Sequence, residues 1–406
     1  MLIQKAQQKR KYTIKQILTE NQAWWRFSKK HDEKLRKSII VSIVKLLSCK
    51  NIVRGFQEYQ CSNKKCSHIK KVFFTCKSKS CSSCGKKQTS TWIETQKTIL
   101  PDTSWQHITF TMPDVLWGFF WSNRHLLNLI PKLAAECVQS VANNKKVTPG
   151  VFIALHTFGR DLKRNVHVHL SVTLGGLYFD QTKWVKLFFS SNLLMTQWRY
   201  KIINMLRQEY RQSSLIIPNT VKQQLNQEVK FNHFLDKQYN KHWHVHCAKP
   251  TNTQKQNIEY LGRYIKRPPI AESRLKHYDG NNVVFQYLDH KNKSLQKKVM
   301  SVEEFIGRFV SHIPDTGFRM IRYYGFLSNR LRGELLPTVR KLLQQEEPEI
   351  MVAPSYVQLM IQNFSINPLE CTLCGNLMRL SAMVFGITNT NKLLTFHRSL
   401  ALLKNI

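Results

Sequence analysis

The chain has 406 residues, of which 62 are Lys or Arg and 25 are Asp or Glu, so its formal net charge is +37 at pH 7. Such a basic field favours a polyanionic partner, with nucleic acid the default one. There is no run of about 18 apolar residues, and the Lys/Gln-rich start is not typical of a secretory signal. We therefore expect a cytoplasmic protein of roughly two or three domains.

The first hundred residues predict a helical region followed by a small cysteine-rich unit. Thr13 is a suitable N-cap for a helix that follows it, and the apolar stretch 38–47 predicts a buried helix. Residues 58–90 are rich in Cys, Ser, Lys and Gly and show little periodicity. That composition is typical of a unit folded around a metal rather than around an apolar core.

Strands and helices alternate from residue 101 onward. The predicted strands are 106–112, 151–159, 165–174, 242–249 and 283–287. The predicted helices are 115–142, 184–210, 254–266 and 302–310. We expect an α+β fold, with helices packed on an antiparallel sheet over residues 101–345. A helical and zinc-binding region (1–100) precedes it, and a C-terminal region (346–406) follows.

Ten cysteines are present, and most of them are clustered. CxxC spacing in a chain without a secretory signal indicates metal ligands rather than disulfides. A structural zinc ion takes four S or N ligands. The preferred ligand set is Cys61, Cys66, Cys81 and Cys84. Cys76 and His68 are spare in this arrangement, or replace one of the four; unligated thiols are the alternative.

The remaining cysteines carry less information. Cys371 and Cys374 form a second knuckle that shares zinc with the N-terminal cluster or with a histidine. Cys49, Cys137 and Cys247 are isolated, which is typical of small buried residues. Lysines surround the N-terminal cluster, and Lys86 and Lys87 among them are candidates for DNA docking or for a solvated face.

Two histidines stand at alternate positions of a predicted strand. His167 and His169 are separated by Val168, so both side chains project from one face and can bind a single metal ion. The alternative is a pair of ordinary core or surface histidines. His244 and His246 repeat the pattern, and spacing alone does not separate the two pairs.

Two tyrosines lie one helical turn apart. Tyr260 and Tyr264 are at i and i+4, so their phenol oxygens can meet at one phosphate. Arg263, Lys266 and Arg267 are basic neighbours that could hold that phosphate. The alternative is two aromatic residues on the core face of a helix.

With these motifs the chain resembles the two-tyrosine transposases of rolling-circle insertion sequences, which are members of the HUH endonuclease superfamily. The resemblance extends over residues 12–380. It is carried by stretches that include CKSKSCSSCGKKQTSTWI (76–93), NVHVHLSVTLGG (165–176), YLGRYIKRPPIAESRL (260–275) and CTLCG (371–375). It implies an N-terminal zinc-binding domain, an HUH-type catalytic domain, and a metal role for His167 and His169 rather than for His244 and His246.

The resemblance also implies a mechanism. Mg²⁺ or Mn²⁺ at His167 and His169 polarises the scissile phosphate, and Tyr260 or Tyr264 attacks it to give a 5′-phosphotyrosine. The substrate is single-stranded or melted DNA at the ends of the element. Many relatives carry His or Pro where this chain has Asn165 and Val166, so the third ligand is open; His107 and Gln256 are the candidates.

Three other interpretations are compatible with the sequence. A rolling-circle replication initiator or relaxase uses the same chemistry, whereas a zinc-finger DNA-binding protein has none. An inactive remnant of a mobile element is the third. The cysteine clusters favour the transposase.

Overall fold

The computed structural model describes residues 12–264, 269–289, 292, 294–348 and 354–403; for 260–264 and 402–403 it describes the backbone alone. The α-helices, in chain order, are α1 (Ile14–Thr19), α2 (Ala23–Lys30), α3 (Lys37–Leu47), α4 (Ser82–Ile99), α5 (Trp117–Ser122), α6 (Ile130–Asn143), α7 (Ser191–Arg211), α8 (Glu228–Tyr239), α9 (Gln254–Tyr264), α10 (Val302–Ser311), α11 (Arg332–Leu342), α12 (Tyr356–Phe364) and α13 (Thr390–Leu403). The strands are β1 (Gly55–Cys61), β2 (Ile69–Phe73), β3 (Trp105–Phe110), β4 (Val147–Phe158), β5 (Arg164–Tyr178), β6 (Trp184–Lys186), β7 (Val245–Cys247), β8 (Leu275–Tyr278), β9 (Asn282–Leu288), β10 (Leu295–Ser301), β11 (Ile321–Gly325) and β12 (Met378–Phe385).

The largest sheet is antiparallel and has the order β11-β4-β5-β3-β7, with β6 paired to β5. Its centre is the long β4–β5 hairpin, whose apolar residues alternate between two buried faces. Ile153 and Val168 on one face share a core with α6 and α7. The expected α+β class, with helices packed on an antiparallel sheet, is confirmed.

The second face of this sheet is covered by other helices. Trp105 and Phe152 share an apolar cluster with Ile258 of α9 and Leu336 of α11. Because side chains alternate along each strand, the histidines at even positions of β4 and odd positions of β5 project from this second face. The sheet therefore positions its polar residues beneath α9.

The domain bounds 1–100, 101–345 and 346–406 stay a prediction. Side chains pack against one another across both boundaries. Phe27 of α2 and Ile43 of α3 share a core with Phe285 of β9 and Phe305 of α10. β12 pairs with β1 in the three-stranded sheet β12-β1-β2. The N-terminal region therefore shares its core with β9 and α10, and its sheet includes β12.

Several local predictions were wrong. The predicted helix 184–210 begins only at Ser191, because Trp184–Lys186 pairs with β5 and the Trp184 indole lies over Gly175, where a Cβ would be 2.3 Å from its Nε1. The predicted helix 115–142 breaks at Asn123, whose side chain donates to the Phe119 and Ile216 carbonyls. Residues 58–90 form β1, β2 and the start of α4. Among the described residues, no helix has both the length and the apolar character needed to cross a membrane.

Candidate metal centres and the tyrosine helix

Three histidines form a compact group at one end of the β4–β5 hairpin. His156, His167 and His169 each offer a ring nitrogen, and these nitrogens lie within 4.8 Å of one another. His156 is directly opposite His167 in the antiparallel register. The register shifts by one residue between His156 and Phe158, a bulge of the kind that often redirects side chains beside functional sites.

Hydrogen bonds orient the two predicted histidines. The Nδ1 atom of His167 lies 3.0 Å from the Asn165 carbonyl, and that of His169 lies 3.1 Å from Nε2 of His107. We assign the proton of each ring to Nδ1, which then donates to these acceptors and leaves the lone pair on Nε2. An outer partner of this kind is the usual support of a metal-binding histidine.

The protein environment keeps these imidazoles neutral. Burial lowers the pKa of His167, and burial together with the neighbouring imidazoles lowers the pKa of His169 well below its ordinary value. For His107, burial lowers the pKa to about 3. Only a neutral imidazole has a lone pair to share, so His167 and His169 are in the protonation state that metal binding requires.

His156 was missed at the sequence level. A strand over 151–159 and another over 165–174 were both predicted, but only the hairpin register places position 156 opposite position 167. Of the two proposed third ligands, His107 lies beside His169 but outside the three-histidine group. Gln256 is exposed, and its Oε1 accepts from the Asn252 N–H at 3.1 Å, so the structure does not bring it to the histidines.

Helix α9 carries the tyrosine pair across this face of the sheet. Gln254, at its start, donates to the Leu100 carbonyl, near the beginning of β3. One turn later the buried Asn257 accepts a hydrogen bond of 2.8 Å from Ser171 of β5. These two anchors show that α9 runs from the Trp105 end of the sheet toward His169 and His167.

Helix geometry gives the distance of each tyrosine position from Asn257 along the helix axis. At 1.5 Å per residue, positions 260 and 264 lie about 4 and 10 Å beyond Asn257. His169 and His167 lie about 7 and 13 Å beyond Ser171 along the strand. Positions 257, 260 and 264 also share one side of a helix. The side chains of Tyr260, Tyr264 and Arg263 lie outside the described residues.

The other predicted sites are placed differently. Lys266 and Arg267 lie outside the described residues. Lys86 and Lys87 contact α12: the ammonium of Lys86 is 5.0 Å from the Phe364 ring centre, and that of Lys87 is 5.2 Å from the Tyr356 ring centre. These two lysines join α4 to α12.

The rival histidine pair lies at β7, the edge strand: His246 is on the strand, and His244 immediately precedes it. His244 and His246 are exposed, and their ring centres are 6.1 Å apart. His246 is in register with Thr109, on the same face of the sheet as His169. Neither residue belongs to the three-histidine group. The choice of His167 and His169 as the primary pair stays a prediction.

The first cysteine cluster combines Cys49, Cys76, Cys81 and Cys84. The Sγ atom of Cys84 lies 3.7 Å from that of Cys49 and 3.6 Å from that of Cys76, and Cys81 lies 3.8 Å from Cys49. A tetrahedral zinc ion with Zn–S bonds of about 2.3 Å separates its sulfur ligands by about 3.8 Å. The four thiols therefore fit zinc without rearrangement.

The second cysteine cluster combines Cys61, Cys66, Cys371 and Cys374. Cys61 and Cys374 approach to 3.4 Å, and Cys66 and Cys371 to 3.8 Å. The Asn376 side chain donates to Cys374 at 3.5 Å and lowers the pKa of that thiol to about 6. His68 lies beside this cluster, with Nδ1 3.1 Å from the Cys371 sulfur.

The structure corrects the preferred set of Cys61, Cys66, Cys81 and Cys84 by dividing it between the two clusters. Cys61 ends β1, and the β1–β12 pairing brings the Cys371–Cys374 knuckle to that end of the sheet. β2 then returns the chain to the end of α3, and Cys49 lies just after that helix. Cys76 is thus a cluster member, and Cys49 is not an isolated buried residue.

Comparisons with known proteins identify two segments of the chain. Residues 19–112 match the family described as "Transposase zinc-binding domain", and residues 150–334 match the family described as "Putative transposase". The chain is 37% identical, over 92% of its length, to 90% of the transposase for insertion sequence element IS801 from Pseudomonas savastanoi pv. phaseolicola. It is 29% identical, over 76% of its length, to 78% of "Putative transposase y4qJ" from Sinorhizobium fredii. No solved structure is significantly similar to it.

These similarities establish the class of protein: the chain is a transposase. More particularly, it belongs to the rolling-circle insertion-sequence transposases that carry an N-terminal zinc-binding domain, as the resemblance predicts. Transposases act on DNA, so the polyanion indicated by the charge of +37 is DNA.

Proposed function

We propose that this transposase nicks and joins single-stranded DNA at the ends of its insertion sequence through a 5′-phosphotyrosine intermediate. The observation that carries the proposal is the three-histidine group on β4 and β5, beneath the helix that bears Tyr260 and Tyr264. A histidine group that can bind a metal ion, on the sheet face to which the tyrosine-bearing helix is bonded, supports a metal-assisted tyrosine nuclease.

The histidine group fits a divalent cation such as Mg²⁺ or Mn²⁺. His156, His167 and His169 would hold it, while His107 and the Asn165 carbonyl orient the rings. When bound, such an ion polarises a phosphoryl oxygen and stabilises charge in the transition state. The neutral imidazoles leave the positive charge of the ion undiminished.

The tyrosines supply the covalent chemistry. One phenol loses its proton and its oxygen attacks the scissile phosphorus to form the 5′-phosphotyrosine bond. The bond from phosphorus to the 3′-oxygen breaks, and that oxygen takes up a proton to become the free 3′-hydroxyl. The free energy of the phosphodiester bond is retained in the phosphotyrosine ester, so joining needs no nucleoside triphosphate. A second tyrosine one turn away permits a second transfer while the first is still occupied. Arg263, Lys266 and Arg267 are the basic residues closest in sequence that can hold the phosphate.

We propose structural roles for the two cysteine clusters. Each offers four thiols in the spacing of a closed tetrahedral zinc site. The first joins the end of α3 to the start of α4, and the second joins the β1–β2 hairpin to the segment before β12. A chain with both sites filled contains about two zinc ions.

The test is adduct formation on a labelled single-stranded oligonucleotide with the terminal sequence of the element, in the presence of Mn²⁺. We expect a covalent protein–DNA band that requires metal and is absent from the Tyr260→Phe/Tyr264→Phe double variant. His156→Ala should reduce the band by about 100-fold or more at fixed Mn²⁺, because a ligand is lost.

The matched control is the edge-strand variant His244→Ala/His246→Ala, which removes a His-x-His pair outside the three-histidine group. It should leave the band within about twofold of the parent. Salt-sensitive DNA binding without any adduct, across several end sequences, would contradict the proposal and favour a non-catalytic DNA-binding protein.

A further inference from the structure

A groove lies at the closed end of the β4–β5 hairpin, between the N-terminal helices and the catalytic sheet. It consists of two adjoining cavities of about 340 and 280 Å³ that share Arg164, Gly307 and Ser311. Residues of α2, α3 and α10 form one wall, and Trp121 and Arg124 form the other. Neither the histidine group nor the cysteine clusters line it.

The groove is strongly cationic. Its basic lining residues are Lys34, Arg36, Arg124, Lys163, Arg164 and Arg308. Within the described chain, no Asp or Glu lines either cavity.

Carboxylates behind the wall only partly balance these charges. Asp315 bridges Arg36 and Arg124, Glu304 pairs with Arg308, and Asp161 lies 3.8 Å from Lys163. Glu303 lies near His31 but pairs with Lys30 as well. Lys34 and Arg164 make no ion pair with a carboxylate in the part of the chain that the structure describes.

Arg164 and Trp121 form the centre of the groove. The Arg164 guanidinium lies 5.0 Å from the Trp121 ring centre. The buried Trp121 indole N–H has no hydrogen-bond partner among the described residues. Burial and the nearby Arg124 lower the pKa of Arg164, as expected for a cation that lacks an anion beside it. A guanidinium that lies on an aromatic ring and has no carboxylate partner in the described ranges suits an anionic group.

The groove is next to the proposed metal centre. His156 pairs with His167, and the next pair toward the hairpin tip is Phe158 with Arg164. Phe158 stacks on His156 with ring centres 5.4 Å apart and lies at the same distance from His312. His312 in turn lies 6.0 Å from Trp121. Ring contacts through His312 and Phe158 therefore connect Trp121 of the groove to His156 of the histidine group.

We propose that this groove binds the sugar-phosphate backbone of single-stranded DNA, next to the phosphate that is cleaved. The inference rests on the proposed function, because it assigns a segment of that substrate to named residues. Cations with an interleaved aromatic ring are the usual composition of single-strand sites. The two adjoining cavities, of about 340 and 280 Å³, leave room for a segment of one sugar-phosphate backbone.

The test is fluorescence anisotropy of a labelled single-stranded oligonucleotide of the element end, titrated with protein over a salt series without divalent metal. Lys34→Gln/Arg164→Gln removes the two cations that lack an acidic partner. We expect weaker binding and a plot of log affinity against log salt that is shallower by about 1.4, since each lost single-strand phosphate contact contributes about 0.7.

The matched control is Lys183→Gln/Arg211→Gln, which removes the same charges at exposed positions outside the groove. It should retain the parent slope. Equal slopes for the two double variants would overturn the proposal that this groove binds DNA.

The binding assay is independent of cleavage. If the parent protein gives no adduct but the groove variant still loses salt dependence, the proposed chemistry fails and the groove stands. If adduct forms normally and the two variants bind alike, the proposed DNA binding in the groove is wrong, whereas the proposed phosphotyrosine chemistry is supported.

Discussion

At the scale of single residues, the candidate centre depends on side chains that do not themselves face the metal position. His107 lies on β3 and accepts from Nδ1 of His169 at 3.1 Å, while Thr109 of the same strand lies 3.5 Å from that nitrogen. Without an acceptor there, His169 could exchange its tautomer or rotate. We infer that His107 is a positioning residue for the group.

The change His107→Ala tests this role. We expect the Mn²⁺ concentration for half-maximal adduct formation to rise by about 10- to 100-fold, because outer partners of metal-bound histidines have effects of that size. His107→Gln, which keeps a side-chain acceptor, should recover much of the loss. An unchanged Mn²⁺ dependence in folded His107→Ala protein would show that the contact has no orienting role.

At the scale of elements, the position of α9 depends on a few buried polar contacts. Ser171 and Asn257 are both buried, and their hydrogen bond fixes the helix on the sheet. Ile258 adds an apolar contact on the same turn. The register between helix and strand therefore determines where the tyrosine positions fall.

Removing this hydrogen bond should affect both stability and chemistry. Ser171→Ala leaves the Asn257 amide oxygen buried without its donor, which we expect to cost about 1–3 kcal/mol of unfolding free energy in urea titrations. Adduct yield should fall, while Mn²⁺ affinity stays close to that of the parent. Thr182→Ala is a suitable control, since its hydroxyl bonds an exposed Asp180; a similar loss there would argue against a specific role for the α9 contact.

At the scale of the whole molecule, the second cysteine cluster joins residues that are about three hundred positions apart. Cys61 and Cys66 meet Cys371 and Cys374, and β12 pairs with β1 along its length. α13 continues this closure, with His397 hydrogen-bonded to Ser48 at the end of α3. Zinc at this cluster would tie the C-terminal segment to the N-terminal unit.

The double variant Cys371→Ser/Cys374→Ser should lower the zinc content measured by mass spectrometry from about two ions to about one per chain. The segment from 371 onward should also become sensitive to limited proteolysis. Cys247→Ser, a half-buried thiol outside both clusters, should keep the full zinc content. Two ions retained in the double variant would contradict the assigned ligand set.

The sequence predicted a large part of the fold and of the candidate site. The α+β class followed from alternating strands and periodic helices, and His167 and His169 share a face because a strand has a period of two. Trp184–Lys186 was misassigned to a helix because its partner is Gly175–Leu177, a pairing that no local pattern reveals. The roles of Tyr260 and Tyr264 stay predictions.

The sequence by itself determined which residues share a strand or helix face, since those relations depend on periods of two and 3.6 residues. Only the tertiary structure decided which faces meet. His156 joined the histidines through the hairpin register, and Cys49 joined its cluster through packing across long stretches of chain. For Cys371 and Cys374 the sequence left two alternatives open, and the structure groups them with the N-terminal Cys61 and Cys66. The reason is physical: contacts between distant segments depend on the packing of the whole fold, so spacing along the chain does not specify them.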